Sequence, residues 1–108
     1  MNLGKADLIA WINKVVETEY MTVESLADGV AYAQVLDAGH PGCIAVTRLN
    51  FTTRYPEDCL RNLRLVEDAL KKLKITQPAS FDKMSRGMFQ DNIIFLQWLF
   101  SYANRNGA

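Results

Sequence analysis

Apolar residues return every three to four positions along most of this chain, a period that predicts helices rather than strands. Leu8, Trp11, Ile12, Val15 and Val16 share one helical face, so an amphipathic helix is expected over roughly Lys5 to Glu17. Thr22 offers a side-chain oxygen to cap a second helix that would bury Val23, Leu26, Val30, Ala33, Val35 and Leu36 and stop at Gly39-His40-Pro41-Gly42. Gly29 and the small Ala27, Ala31 and Ala33 imply that another helix packs closely there. Between Cys43 and Tyr55 the period weakens. That stretch reads as a short helical turn around Ile44 to Val46 and an irregular segment, pinned into the core by Ile44, Leu49 and Phe51.

A third long helix has clear punctuation. Pro56 suits its first turn, Glu57 and Asp58 complement the positive end of the helix dipole, and Lys71, Lys72 and Lys74 the negative end. Cys59, Leu63, Val66, Leu70 and Leu73 form its apolar stripe. Gln77-Pro78-Ala79-Ser80 then breaks the chain, and Ser80 can cap a short helix through Phe81, Met84 and Ser85. Gly87 permits a sharp turn into a final helix over roughly Met88 to Asn104. That helix is apolar on nearly every face (Phe89, Ile93, Phe95, Leu96, Trp98, Leu99, Phe100, Tyr102), the mark of a helix surrounded by others. No segment alternates with period two long enough to demand a strand. The expected architecture is all-α, a compact bundle around the C-terminal helix.

At 108 residues and 49% hydrophobic, the chain is the right size for one core and one domain, residues 1–108. Twelve basic residues balance twelve acidic ones, which argues against indiscriminate nucleic-acid binding while leaving room for a local basic patch. No apolar run approaches the ~20 residues a membrane span requires, and no charged segment leads into an apolar signal core. Cys43 and Cys59 match no metal-ligand spacing; two reduced thiols are the plain reading, a disulfide the alternative. A soluble cytoplasmic domain is expected.

Enzymatic chemistry finds no footing in the motifs. There is no glycine-rich phosphate loop, nucleophile elbow or HExxH, so neither catalytic residue, metal nor cofactor is expected. His40 lies in a Gly-Pro turn where ordinary exposure suffices. Asp28-Gly29 and Asp82 lack calcium-loop spacing, and the acid pairs Glu57-Asp58 and Glu67-Asp68 fit dipole or solvated-face roles. Trp11 and Trp98 sit among helical apolar neighbours, which favours packing over ligand stacking. Phe81 and Phe89 flank the short helix as anchors of that turn.

Lys71, Lys72 and Lys74 are accounted for by the helix end. Arg48, Arg54, Lys83 and Arg86 are different: they lie in or beside irregular turns that no long-helix end requires. They are either solvated surface or, if the fold gathers them, a positive rim suited to an acidic protein surface. In Gln90-Asp91-Asn92, Asp91 and Asn92 are expected to satisfy backbone groups of neighbouring turns, while Gln90 points outward to a partner.

The chain resembles the calponin-homology domain of the end-binding family of microtubule plus-end tracking proteins. The resemblance is carried by Leu8-Ile9-Ala10-Trp11-Ile12-Asn13, Leu26-Ala27-Asp28-Gly29-Val30-Ala31-Tyr32-Ala33-Gln34, Pro41-Gly42-Cys43-Ile44-Ala45, Phe51, Asn62 and Phe81-Asp82-Lys83. The closing match runs from Arg86 to Trp98, with Phe89-Gln90-Asp91-Asn92 and Gln97-Trp98 its most specific part. It implies a non-enzymatic helical domain that binds tubulin between protofilaments and senses its nucleotide state, on microtubules in the cytoplasm. The implied tubulin-facing set is Lys5, Arg48, Arg54, Lys83, Arg86 and Gln90, with Phe89 seating the turn. Where family members often carry lysine, this chain has Thr47, Asn50, Gln77 and Met88, which implies weaker, less salt-sensitive binding. Those losses keep open an alternative, a protein-scaffolding calponin-homology domain for another cytoskeletal partner or actin. The resemblance further implies a monomeric domain whose full-length protein dimerises through a coiled coil, for which these residues hold no heptads.

Overall fold

Gly29 sets the topology of the first half of the molecule. In the computed structural model, which describes residues 3–105, this glycine has φ 78° and separates a 3-10 segment, Glu24–Asp28, from helix α2, Val30–Gly39. The second predicted helix is therefore two elements. Thr22 is not the cap expected: the N-cap of the first segment is Val23, and Thr22, one residue earlier, instead closes the turn, its Oγ1 accepting the Ser25 N–H at 3.1 Å. A Cβ at position 29 would stand 3.0 Å from the Cβ of Asn62 and 3.2 Å from the Leu63 backbone nitrogen. The close packing expected from the small residues is real, and its neighbour is the third long helix.

The remaining elements follow the apolar period. Helix α1 spans Lys5–Val16, burying Leu8 and Ile12, and ends at Glu17 in the left-handed region (φ 55°). Asn13 ties down the chain beyond it: Nδ2 donates to the Tyr20 carbonyl at 2.8 Å and Oδ1 accepts the Tyr20 N–H at 2.9 Å. Helix α3, Pro56–Lys72, buries Asn62, Leu63, Val66, Ala69 and Leu70. Its expected stripe holds at Leu63, Val66 and Leu70, whereas Cys59 and Leu73 are only half-buried at its edges. Helices α4, Phe81–Ser85, and α5, Phe89–Arg105, complete the chain. Among the described residues there is no strand. Residues 1–2 and 106–108, the ends of the expected domain range, lie outside the description.

Helix α2 packs on α1, α3 and α5; α5 packs on α1, α2 and α4; and α3 carries α4. Six of the ten residues of α2 are buried, among them Tyr32, whose ring meets Phe95 of α5 edge-on at 5.0 Å between centroids. Helix α5 is enclosed through Asn92, Ile93, Phe95, Leu96, Leu99 and Ala103 but keeps a wet strip at Gln90, Ile94, Gln97 and Ser101. Trp11 packs edge-on against Phe100 at 5.1 Å, and Trp98 stacks on Tyr102 at 5.2 Å, so both indoles are packing groups as expected.

Three expectations need correction. Phe51 is not a core anchor: it is 58% exposed, because Leu49 takes the buried position of that segment. The helical turn after Cys43 lies later than predicted, at Val46–Arg48. His40 is half-buried rather than an ordinary exposed turn residue, with Nε2 2.7 Å from the Tyr102 hydroxyl, joining the ends of α2 and α5. Cys43 and Cys59 are free and half-buried, and burial pushes both thiols above their usual range.

The two glycines at either end of α2 should respond to alanine with opposite signs. Gly29→Ala, forced into a left-handed φ and against α3, should cost about 2 kcal/mol. Gly39 has open space around it and helical backbone, so Gly39→Ala should stabilise by a few tenths up to about 1 kcal/mol. Urea denaturation of the two variants checks both.

Candidate functional site

The chain from Lys83 to Gln90 is built around one buried carboxamide. Asn92 has no exposed surface; its Nδ2 donates to the carbonyls of Met84 at 3.2 Å and Met88 at 2.8 Å, and its Oδ1 accepts the Tyr32 hydroxyl at 2.9 Å. Gly87, at φ 75°, makes the reversal, and its N–H bonds the Met84 carbonyl at 3.0 Å. Ser80 Oγ caps α4 by accepting the Lys83 N–H at 3.4 Å, as its position predicted. The backbone of the turn is thus satisfied from inside, and Lys83, Arg86, Met88, Phe89 and Gln90 all face outward. Asn92 has the structural role expected of it. Asp91 does not: it is half-buried beside Pro78, Ala79, Ser80 and Ile94, and none of the side-chain hydrogen bonds among the described residues involves it.

Lys5, eighty residues away in sequence, joins this turn. Its Nζ lies 5.9 Å from the centre of the Phe89 ring, within the reach of a cation–π contact. Phe89 is 38% exposed, so it meets Lys5 at the surface and is not the core residue its place in the apolar run of the last helix suggested. Arg86 is not a free charge: its guanidinium donates to Asp82 at 2.8 Å, an exposed pair worth little in stability.

Arg48 and Arg54 occupy a second basic loop, at the start of α3. Asn62 holds this loop from within the core. Its Oδ1 accepts the Asn50 N–H at 2.9 Å, and its Nδ2 donates at 2.8 Å to the carbonyls of both Asn50 and Asp28. Asn50, where a family lysine was expected, is itself a scaffold: its Oδ1 accepts the Thr52 N–H at 2.8 Å. Asp58 then gathers the end of the loop, its Oδ2 accepting the N–H groups of Arg54 at 3.1 Å and Tyr55 at 3.2 Å, while Oδ1 pairs with Arg61. Those backbone donors hold the Asp58 carboxyl below the usual carboxylate value.

The two basic groups meet through the 3-10 segment Glu24–Asp28. Gly87 lies against the Glu24 carbonyl at one end of it, and Asn62 grips the Asp28 carbonyl at the other. Five residues at the ~2 Å rise of a 3-10 helix separate the two attachments by roughly 8–10 Å, about one Debye length at physiological salt. Lys5, Lys83, Arg86, Phe89 and Gln90 therefore form one group and Arg48 and Arg54 another. No hydrogen bond or ring contact among the described residues joins the two. Neither Asn62 nor Asn50 was marked as a site-building residue by sequence, since a long-range side-chain-to-backbone bond leaves no spacing to read.

Buried acid chemistry lies elsewhere. Asp28 accepts the Tyr20 hydroxyl at 2.7 Å and the Val30 N–H at 2.9 Å; burial raises its pKa, those two donors partly offsetting it, and the Tyr20 phenol is pushed far up by burial and by the Asp28 charge. The pair is fully hydrogen-bonded and structural. Among the described residues no group of His, Cys, Asp or Glu is placed to hold a metal ion, and no helix is long and apolar enough to cross a membrane.

The calponin homology (CH) domain model matches residues 3–107, and the chain belongs to that family. Within it the likeness is to the end-binding type. A solved structure described as the structural basis of microtubule plus end tracking by XMAP215, CLIP-170 and EB1 superposes with a TM-score of 0.89 at 26% identity, covering 94% of this chain and 86% of that one. All-helical architecture and family are thus both legible in the sequence.

Asp58 gives the basic loop a pH signature. Its folded pKa is depressed, so its stabilising contribution is complete above the ordinary value of 3.8 and is lost as pH falls through the lower folded value. Asp58→Asn should remove that part of the acid-limb slope in urea midpoints measured from pH 5 to pH 2.5. Faster amide exchange at Arg54 and Tyr55 should accompany it.

Proposed function

We propose that this domain is a microtubule-binding module of the end-binding type, with Lys5, Arg48, Arg54, Lys83, Arg86, Phe89 and Gln90 facing tubulin. The observation that carries this reading is the outward presentation of Lys83, Arg86 and Gln90 on a turn whose backbone needs are met from the core, with Lys5 brought to it over Phe89. The work of such a face is complementarity, which the exposed Lys83 and Gln90 can give directly, while Arg86 is shared with Asp82. A solved structure to which the fold is similar concerns microtubule plus end tracking by XMAP215, CLIP-170 and EB1.

Charge sets the character of the interaction. The chain has formal net charge zero, so attraction to an acidic lattice comes from local groups of basic residues rather than from net charge. Binding is therefore of modest affinity and shallow salt dependence, monomeric in this domain, and confined to the microtubule cytoskeleton of the cytoplasm. Gln90, neutral and at the tip of the turn, supplies direction rather than attraction, as a reader of lattice state would need. An actin-directed scaffolding role is the rival.

Co-sedimentation separates the two. The domain should pellet with microtubules, more strongly when they hold a slowly hydrolysed GTP analogue than GDP, and not with actin filaments. Lys83→Glu and Arg54→Glu should each weaken microtubule binding by about tenfold, roughly 1.4 kcal/mol, with unchanged thermal melts because both side chains are exposed. Parent-like binding by both variants would show that the face lies elsewhere, and a preference for actin would favour the scaffolding role.

A further inference from the structure

The basic loop carries something its charges do not explain. Phe51 is 58% exposed and Tyr55 64%, two aromatic rings in water within five residues of each other. Leu49 is buried next to Arg48, and Asn50 and Thr53 are half-buried, so the loop is anchored inward at Leu49 and presents Arg48, Phe51, Arg54 and Tyr55 outward. Its backbone is held at Asn50 by Asn62, at Thr52 by Asn50, and at Arg54 and Tyr55 by Asp58. From Val46 to Tyr55 there are two arginines and no acid.

We infer that Phe51 and Tyr55 are apolar anchors that seat, between Arg48 and Arg54, into an acidic protein surface. The inference rests on the microtubule reading and deepens it: the surface is that of the lattice, and the rings carry the part of the binding that salt does not screen. Three physical points support it. Aromatic rings and arginine are the side chains that dominate binding energy where interfaces have been dissected. A loop already tied at four backbone positions loses little freedom on docking, so ring burial is not spent on ordering. And the absence of acid in the loop gives the arginines no competing partner beyond Asp58, which is already engaged by two N–H groups and Arg61.

The test is co-sedimentation with microtubules holding the slowly hydrolysed GTP analogue, across a fourfold range of salt. The variants are Phe51→Ala/Tyr55→Ala and Arg48→Ala/Arg54→Ala. The aromatic double variant should bind at least tenfold more weakly at every salt, with the parent's slope of log affinity against log salt. The arginine double variant should flatten that slope. Tyr55→Phe should bind as the parent does, and Val15→Ala, an exposed apolar residue on α1, should be silent. Both rings are exposed, so melts should not move; if the alanine variant does unfold, Phe51→Gln/Tyr55→Gln gives the same readout with polar stems. Aromatic variants within twofold of the parent, while Lys83→Glu is impaired, would overturn the anchors and leave the microtubule reading standing. A parent that fails to pellet at all would overturn both.

Discussion

The carboxamide of Asn62 is the point on which the outer structure of this domain depends. Buried in the middle of α3, it donates to two carbonyls and accepts one N–H, and those groups belong to two separate stretches of chain, the end of the Glu24–Asp28 segment and the loop at Asn50. Neither stretch has a regular ladder to satisfy its backbone, and an unpaired buried polar group costs about 1–3 kcal/mol. One side chain meets all three needs at once. The arrangement requires that α3 come close enough for the reach, and Gly29, lacking a Cβ where Asn62 stands, is what allows the approach. Asn92 performs the equivalent service on the other side, satisfying Met84, Met88 and Tyr32. Two amides thus convert irregular chain into rigid surface.

That rigidity is the functional currency of the fold. Among the titratable groups with displaced pKa values, Tyr20 and Asp28 are half-buried and hydrogen-bonded to each other, Asp58 is engaged in holding backbone, and Cys43 and Cys59 are thiols raised by burial. Cations and rings instead stand on turns held from within by the Asn62, Asp58 and Asn92 side chains. A surface of that kind discriminates by shape and placement, and its affinity is governed by what it meets rather than by what it must reorganise.

Much of this could be read from residue order, and the exceptions are physical. Helices α1, α3 and α5 announce themselves through repeat and punctuation; Ser80 and Gly87 do so because a cap and a reversal are local events. The break at Gly29 was hidden because Val23, Leu26 and Val30 fall at spacings that an α-helix and a 3-10 turn share, so period alone cannot divide them. Phe51 deceived because an aromatic ring in an irregular segment is ordinarily a burial signal, and only tertiary packing decides that Leu49 fills that place. The basic residues of the turns were visible as candidates, but their division into two groups hung on a short segment whose length is expressed only once Gly87 and Asn62 clasp its ends. His40 and Tyr102 meet across 62 positions, a separation at which sequence offers no guide.

Arg86 and Asp82 face one another one helical turn apart on the outside of α4. Asp82 takes one of the five N–H donors of that guanidinium, and so exposed a pair is too weak to lock it in place. What the carboxylate does change is the field: seen from more than a few ångströms away, the two charges largely cancel. Among the basic residues of the turn, Lys83 thus projects the unbalanced charge and Arg86 mostly a set of short-range donors.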